Sequence, residues 1–108
     1  MFNIKEIDVH TLKNKLDQKD DFILIDVRET SEIKICKINE SIHIPMQSIP
    51  AHIKEIDNKK TIIIMCKSGV RSAQVCNYLN DSGYLNIYNL KGGIINWALE
   101  IDSNMEIY

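Results

Sequence analysis

Two runs of apolar residues constrain this chain more than anything else in it. Phe22-Ile23-Leu24-Ile25-Asp26-Val27 is nearly continuous, and Thr61-Ile62-Ile63-Ile64-Met65-Cys66 is stronger still. Neither alternates with polar residues, as a strand with one wet face would. Short β-branched runs of this kind belong to strands covered on both faces, the pattern of parallel sheets. Weaker strand candidates are Phe2 to Ile7, Ser41 to Ile44 and Asn86 to Tyr88. Helix-like segments lie between them. Asp8 reads as an N-cap for Val9 to Leu16, with Val9, Leu12 and Leu16 at helical spacing. Gln47 to Ile56 forms a second short candidate. In Arg71 to Ser82, Ala73, Val75, Cys76 and Leu79 share a face, and Gly83 ends the helix. Gly92-Gly93 precedes a last helix, Ile94 to Leu99, that would place Trp97 in the core. Strands alternating with helices predict an α/β domain, with a mostly parallel central sheet of about five strands and helices on both faces.

The bulk numbers narrow the function classes. At 108 residues the chain is read as one domain, 1–108. Apolar residues at 44% and charged residues at 26% are enough for a real core. A net charge of −2 and a pI of about 5.9 offer no polyanion-binding surface, so nucleic acid is not expected as a partner. Three cysteines, Cys36, Cys66 and Cys76, form neither a paired framework nor a CxxC or Cys/His metal pattern. The first residues lack the basic start and apolar centre of a signal peptide. The longest apolar run, Ile62 to Cys66, is far too short to span a bilayer. A cytoplasmic protein without metal or membrane association is the expectation.

The chemistry concentrates in Cys66-Lys67-Ser68-Gly69-Val70-Arg71-Ser72. A buried strand ends at Cys66, a short loop follows, and a helix begins near Arg71. Ligands of parallel α/β sheets bind beyond the carboxyl ends of strands. There the helix N-terminus offers unpaired N–H groups and about half a positive charge. Gly69 lets the loop curl so that successive N–H groups point inward as an anion nest. A free thiol has a pKa of about 8.5, and helix N-termini with neighbouring Lys or Arg lower it to roughly 3.5–7.5. Cys66, with Lys67 beside it and Arg71 in the same loop, is therefore predicted to be a nucleophilic thiolate at neutral pH. The bland reading is a buried apolar cysteine at a strand end.

This loop resembles the active-site loop of the rhodanese-type sulfurtransferases, and the likeness extends over nearly the whole chain. Asp26-Val27-Arg28-Glu29 resembles an early turn of that family, Glu32 through Pro45 its next motif, and Leu90-Lys91-Gly92-Gly93 with Trp97 its closing one. The resemblance implies a rhodanese-like fold and a single-domain sulfurtransferase. Cys66 would take the outer sulfur of a donor such as thiosulfate as a persulfide, held by the N–H groups of residues 67 to 71. Lys67 and Arg71 would attract the small anionic donor, with Ser68, Gly69 and Val70 completing the loop. Cyanide, a thiol or a sulfur-carrier protein would remove the sulfur, and no metal or organic cofactor is implied.

The likeness is incomplete. Cys36, Lys37 and Glu40 stand where the family has Gly, His and Gly, so no family role passes to Lys37, and a different loop path is expected for Glu32 to Ser41. Cys36 is either a tolerated loop cysteine or a partner that resolves a Cys66 persulfide. Cys76 reads as core. Asp26 and Arg28 are read either as pocket support, with Asp26 accepting loop hydrogen bonds and Arg28 shaping the rim, or as a structural pair. His10, His43 and His52 read as surface or structural, Trp97 as a core anchor, and Ser68 and Ser72 as loop or cap residues. Two other classes are open. A cysteine phosphatase or arsenate reductase also sets Cys before Arg, but in the longer Cys-x5-Arg loop, whereas Cys66 and Arg71 enclose four residues. A non-enzymatic rhodanese-like interaction module is the other. The ending from Trp97 to Asp102, closing on Tyr108, resembles rhodanese domains fused to enzymes that activate sulfur carriers.

Overall fold

The computed structural model describes residues 4–108. Strands β1 (Lys5–Ile7), β2 (Phe22–Asp26), β3 (Ile42–His43), β4 (Thr61–Met65) and β5 (Ile87–Leu90) form one sheet. Their spatial order is β1-β5-β4-β2-β3, and each neighbouring pair is parallel. Helices α1 (Val9–Asp17), α2 (Thr30–Ile35), α3 (Ile49–His52) and α4 (Val70–Asp81) connect them, and α5 (Gly93–Glu100) follows β5. This is the α/β architecture expected from the two apolar runs.

The lack of alternation in those runs has its cause in the sheet. β4 lies in the middle, and its side chains enter two separate cores. Ile62, Ile64 and Cys66 join one cluster with Ile49, Val75, Cys76 and Leu79, beneath α3 and α4. Ile63 and Met65 join the other, with Val9, Leu12, Ile94 and Trp97 from α1 and α5. A strand covered on both faces has no position left for a polar residue. Trp97 and Cys76 are both core residues, as read, and burial pushes the Cys76 thiol up to about 12.

Local signals place the helices. The Asp8 carboxylate accepts the Thr11 N–H at 2.7 Å and caps α1. α4 ends at Asp81 before Gly83, whose φ of +97° suits glycine. Three expectations change. The first strand is Lys5–Ile7, and the earlier part of the Phe2 to Ile7 candidate, through Asn3, lies outside the described residues. Gln47 to Ile56 is not one helix but a 3₁₀ turn over Met46–Ser48, the four-residue α3, and another 3₁₀ turn over Ile53–Glu55. Pro50 lacks an N–H and is tolerated only in a first turn, so it fixes where α3 begins. Within Glu32 to Ser41, the chain first completes α2, a helix not anticipated, before residues 36–41 lead to β3.

Candidate functional site

A parallel sheet delivers every strand's carboxyl end to one edge, and the register decides which exits are neighbours. Asp26 pairs with Met65, so the chain leaves β2 and β4 side by side, and the Val27 N–H donates to the Met65 carbonyl at 3.0 Å. The loop after β4 is shaped by α5. The N–H groups of Ile94 and Ile95 donate to the carbonyls of Cys66 and Lys67 at 2.9 and 3.2 Å. That contact requires Gly93, since a Cβ there would lie 2.5 Å from both carbonyl oxygens. With its carbonyls committed to α5, the loop turns its N–H groups towards the sulfur. Gly69, at φ +107°, makes the turn into α4.

Cys66 Sγ is the focus of this arrangement. It accepts the Gly69 N–H at 3.1 Å and the Ser72 N–H at 3.4 Å, and the Ser72 hydroxyl lies 3.2 Å away. Burial alone would push the thiol up, but hydrogen bonds from the Ser72 hydroxyl and from the N–H groups of Ser72, Gly69 and Ser68 outweigh it, and Cys66 is held below the usual thiol range. Ser72 is itself fully buried and bonded to the Asn89 Oδ1 at 2.5 Å, while Asn89 Nδ2 donates to the Gly69 carbonyl at 3.0 Å. Asn89, on β5, therefore fixes both the hydroxyl and the loop.

The two cations of the loop are placed differently from the simplest expectation. Lys67 Nζ stands 4.4 Å from the centroid of the Tyr108 ring. The Arg71 guanidinium forms a two-pronged ion pair with Glu32, at 2.6 and 2.9 Å. Arg71 and the Tyr108 hydroxyl, which donates to Glu32 at 2.6 Å, hold the Glu32 carboxyl well down, to about 2. The nearest partners of the sulfur are thus loop N–H groups and Ser72, not Lys67 or Arg71. Ser68 and Val70 are exposed at the loop surface.

Asp26 and Arg28 are both fully buried, and the guanidinium spans the carboxylate with bonds of 2.8 to 3.1 Å. The expectation that Asp26 accepts bonds from the Cys66 loop is not met, because Arg28's own N–H and side chain occupy it. Nor does Arg28 line a rim: it donates to the Cys36 carbonyl at 2.7 Å and to the Tyr108 hydroxyl at 3.0 Å. Cys36 packs in the cluster on the α1 and α5 side, whereas Cys66 belongs to the cluster beneath α4. His43 bonds the Arg28 carbonyl, and His10 and His52 face Glu100 and Glu55 at the surface. Among the described residues no group of three His, Cys, Asp or Glu side chains is placed to hold a metal ion, and no helix is long and apolar enough to cross a membrane.

The sequence reading assigned Glu32, Asn89 and Tyr108 no part in the site. Glu32 was within reach of inference, because residues following β2 must meet those following the adjacent β4. Asn89 and Tyr108 carried no comparable signal.

A parallel sheet with a thiol in an amide-lined loop at a strand's carboxyl end defines a class, and relatives of the chain identify it. The rhodanese-like domain family matches residues 8–100, and the chain belongs to that family. A sulfurtransferase of Allochromatium vinosum is 40% identical over 95 residues, covering 88% of this chain and 89% of that protein. The crystal structure of a rhodanese-like domain protein from Staphylococcus aureus superposes with a TM-score of 0.82 at 32% identity, covering 97% of this chain and 99% of that one. A more distant relative, the adenylyltransferase and sulfurtransferase of Ogataea parapolymorpha, is 30% identical over 109 residues, which are 99% of this chain but 28% of that protein.

Proposed function

We propose that the protein is a sulfurtransferase that carries sulfane sulfur on Cys66 as a persulfide, between a donor and a thiol acceptor. The observation that supports this best is the set of loop N–H groups and the Ser72 hydroxyl around a single buried sulfur. Such donors favour negative charge on that atom without neutralising it by a fixed cation. The Ser72 hydroxyl has one proton for two acceptors. With a thiol, the S–H donates to Ser72 Oγ and the O–H to Asn89. With a thiolate, the O–H turns to the sulfur.

In the first half-reaction the thiolate attacks the outer sulfur of the donor. A new S–S bond forms as the donor's own breaks, and its electron pair leaves with the remainder, sulfite if the donor is thiosulfate. The outer sulfur, now on Cys66, lies among the N–H groups of residues 67 to 71. In the second half-reaction an acceptor thiolate takes that sulfur and the bonding pair returns to Cys66. This is covalent, ping-pong transfer. Lys67 and Ser68 border the loop, Gly69 and Val70 turn it into α4, and Arg71 fixes its far end against Glu32. A sulfur-carrier protein is a fitting acceptor, since the Ogataea relative combines an adenylyltransferase with a sulfurtransferase. The four residues between Cys66 and Arg71 fit sulfur transfer better than phosphate hydrolysis.

Incubation with thiosulfate or an alkyl hydropersulfide, followed by intact mass, tests the reading. The wild type should gain one sulfur atom, Cys66→Ser none, and a thiol should reverse the gain. No gain from either donor would sink the proposal. Turnover of an aryl phosphate or arsenate would support the phosphatase-like reading instead.

A further inference from the structure

We propose that Glu32 sets the charge of the sulfur donor, turning the site away from dianionic thiosulfate and towards hydropersulfides of thiols. The inference rests on the persulfide reading of Cys66 and narrows its substrate class. Its basis is where the positive charge near the loop is spent. Arg71, which closes the loop, presents both outer nitrogens to the Glu32 carboxylate. Lys67 faces the neutral Tyr108 ring and keeps its charge at the loop's edge, whereas Arg28 is buried against Asp26. The hydroxyl of Tyr108 bridges the groups, accepting from Arg28 and donating to Glu32. Glu32 stays ionised at any working pH, because Arg71 and Tyr108 hold it low.

A guanidinium so paired carries a carboxylate 2.6 to 2.9 Å from its outer nitrogens, so an ion drawn to it meets both charges. For a dianion the two largely cancel, and the chain's net charge of −2 gives no longer-range attraction. The N–H groups around the sulfur are unaffected, since they favour the negative charge on the attacking Cys66 sulfur whichever donor approaches. They serve a hydropersulfide as well as thiosulfate. In the favoured step the Cys66 thiolate attacks the outer sulfur of R–S–SH, the S–S bond breaks, R–S⁻ leaves, and the proton stays on the transferred sulfur. Charge is one negative unit on each side. With thiosulfate the same step must bring two negative charges past Glu32 and release a sulfite dianion there.

The test measures the second-order rate of sulfur gain at Cys66 from thiosulfate, from the monoanionic benzenethiosulfonate and from cysteine hydropersulfide. Glu32→Gln keeps the shape and removes the charge. It should raise the thiosulfate rate roughly tenfold relative to the hydropersulfide rate at low ionic strength, with the gap shrinking in high salt. Tyr108→Phe, which loses only the hydroxyl holding Glu32, should move the ratio the same way by a smaller factor. A ratio that stays constant or falls in Glu32→Gln overturns the proposal. If that variant does not fold, the wild type decides alone. It should disfavour thiosulfate against benzenethiosulfonate by about tenfold more than a free thiolate does, and equal or reversed preference refutes the idea. A wild type that takes sulfur from no donor would instead overturn the persulfide reading beneath it.

Discussion

The chain leaves β2 and β4 at neighbouring points on one sheet edge, yet the two exits treat charge in opposite ways. After β2, a full anion and a full cation are buried together: Asp26 and Arg28 are both inaccessible and neutralise one another. After β4, the ionisable group is Cys66, and N–H dipoles and a hydroxyl surround it without a counterion in contact. A closed ion pair is spent on geometry, because neither partner has charge left for a ligand. Partial charges from dipoles leave an anion stabilised but unneutralised, and such an anion is still a nucleophile. The first exit holds the second in place. Arg28 carries Tyr108, Tyr108 carries Glu32, and Glu32 carries Arg71 at the far end of the sulfur loop.

Removing one half of the buried pair should have the largest effect. Asp26→Asn leaves the Arg28 guanidinium uncompensated in the sheet edge, and breaking such pairs costs about 3–5 kcal/mol. Domains of this size have about 5–15 kcal/mol of stability in total, so the urea midpoint should fall markedly. Replacing both partners with apolar residues of similar size should recover part of the loss. A single variant as stable as the wild type would mean that the pair does not anchor the exit.

At the other exit the corresponding change is milder and reads out as reactivity. Ser72→Ala removes the hydroxyl beside Cys66 Sγ and leaves Asn89 Oδ1 without its donor. Hydrogen bonds to charged groups contribute about 1.5–3 kcal/mol, so alkylation of Cys66 near neutral pH should slow by about tenfold or more. The midpoint of its pH profile should move upward, towards that of a free thiol. An unchanged profile would show that the loop N–H groups suffice. Far-UV circular dichroism separates this from misfolding.

How much of this the sequence disclosed follows from the range of the contacts. β4 and its loop were legible because an uninterrupted β-branched run, a cysteine, a glycine and a helix signal follow each other within 61–71. α4 was legible from its apolar spacing and Gly83. α2 was not: it has six residues, none buried, and so no apolar periodicity. The Glu32 carboxylate, accepting the Glu29 N–H, supports its start instead. Asp26 and Arg28 were visible as residue types, but their near-total burial depends on strands packed beside them. Glu32 lies 39 residues from Arg71, and Tyr108 lies 76 from Glu32. Pairings at such separations follow from sheet order and from the course of the chain after α5, which no local pattern encodes.

The smallest expected effect concerns acid stability, and it tests whether the two exits are joined. Glu32 has an ordinary carboxyl value of 4.5 when free and is drawn to about 2 in the fold, chiefly by Arg71. A carboxyl lowered on folding stabilises the protein above its unfolded value, and that contribution disappears as pH falls through the folded one. The gain from the Glu32–Arg71 pair should therefore be complete above pH 4.5 and lost progressively towards pH 2. Other carboxylates titrate in the same window, so the difference between the wild type and Glu32→Gln is the informative quantity. Urea midpoints measured across that window should converge for the two proteins as acid is added, with the wild type ahead at the upper end. Parallel curves would mean that Glu32 is not held by Arg71 in solution, and the link from the buried pair to the sulfur loop would then end at Glu32.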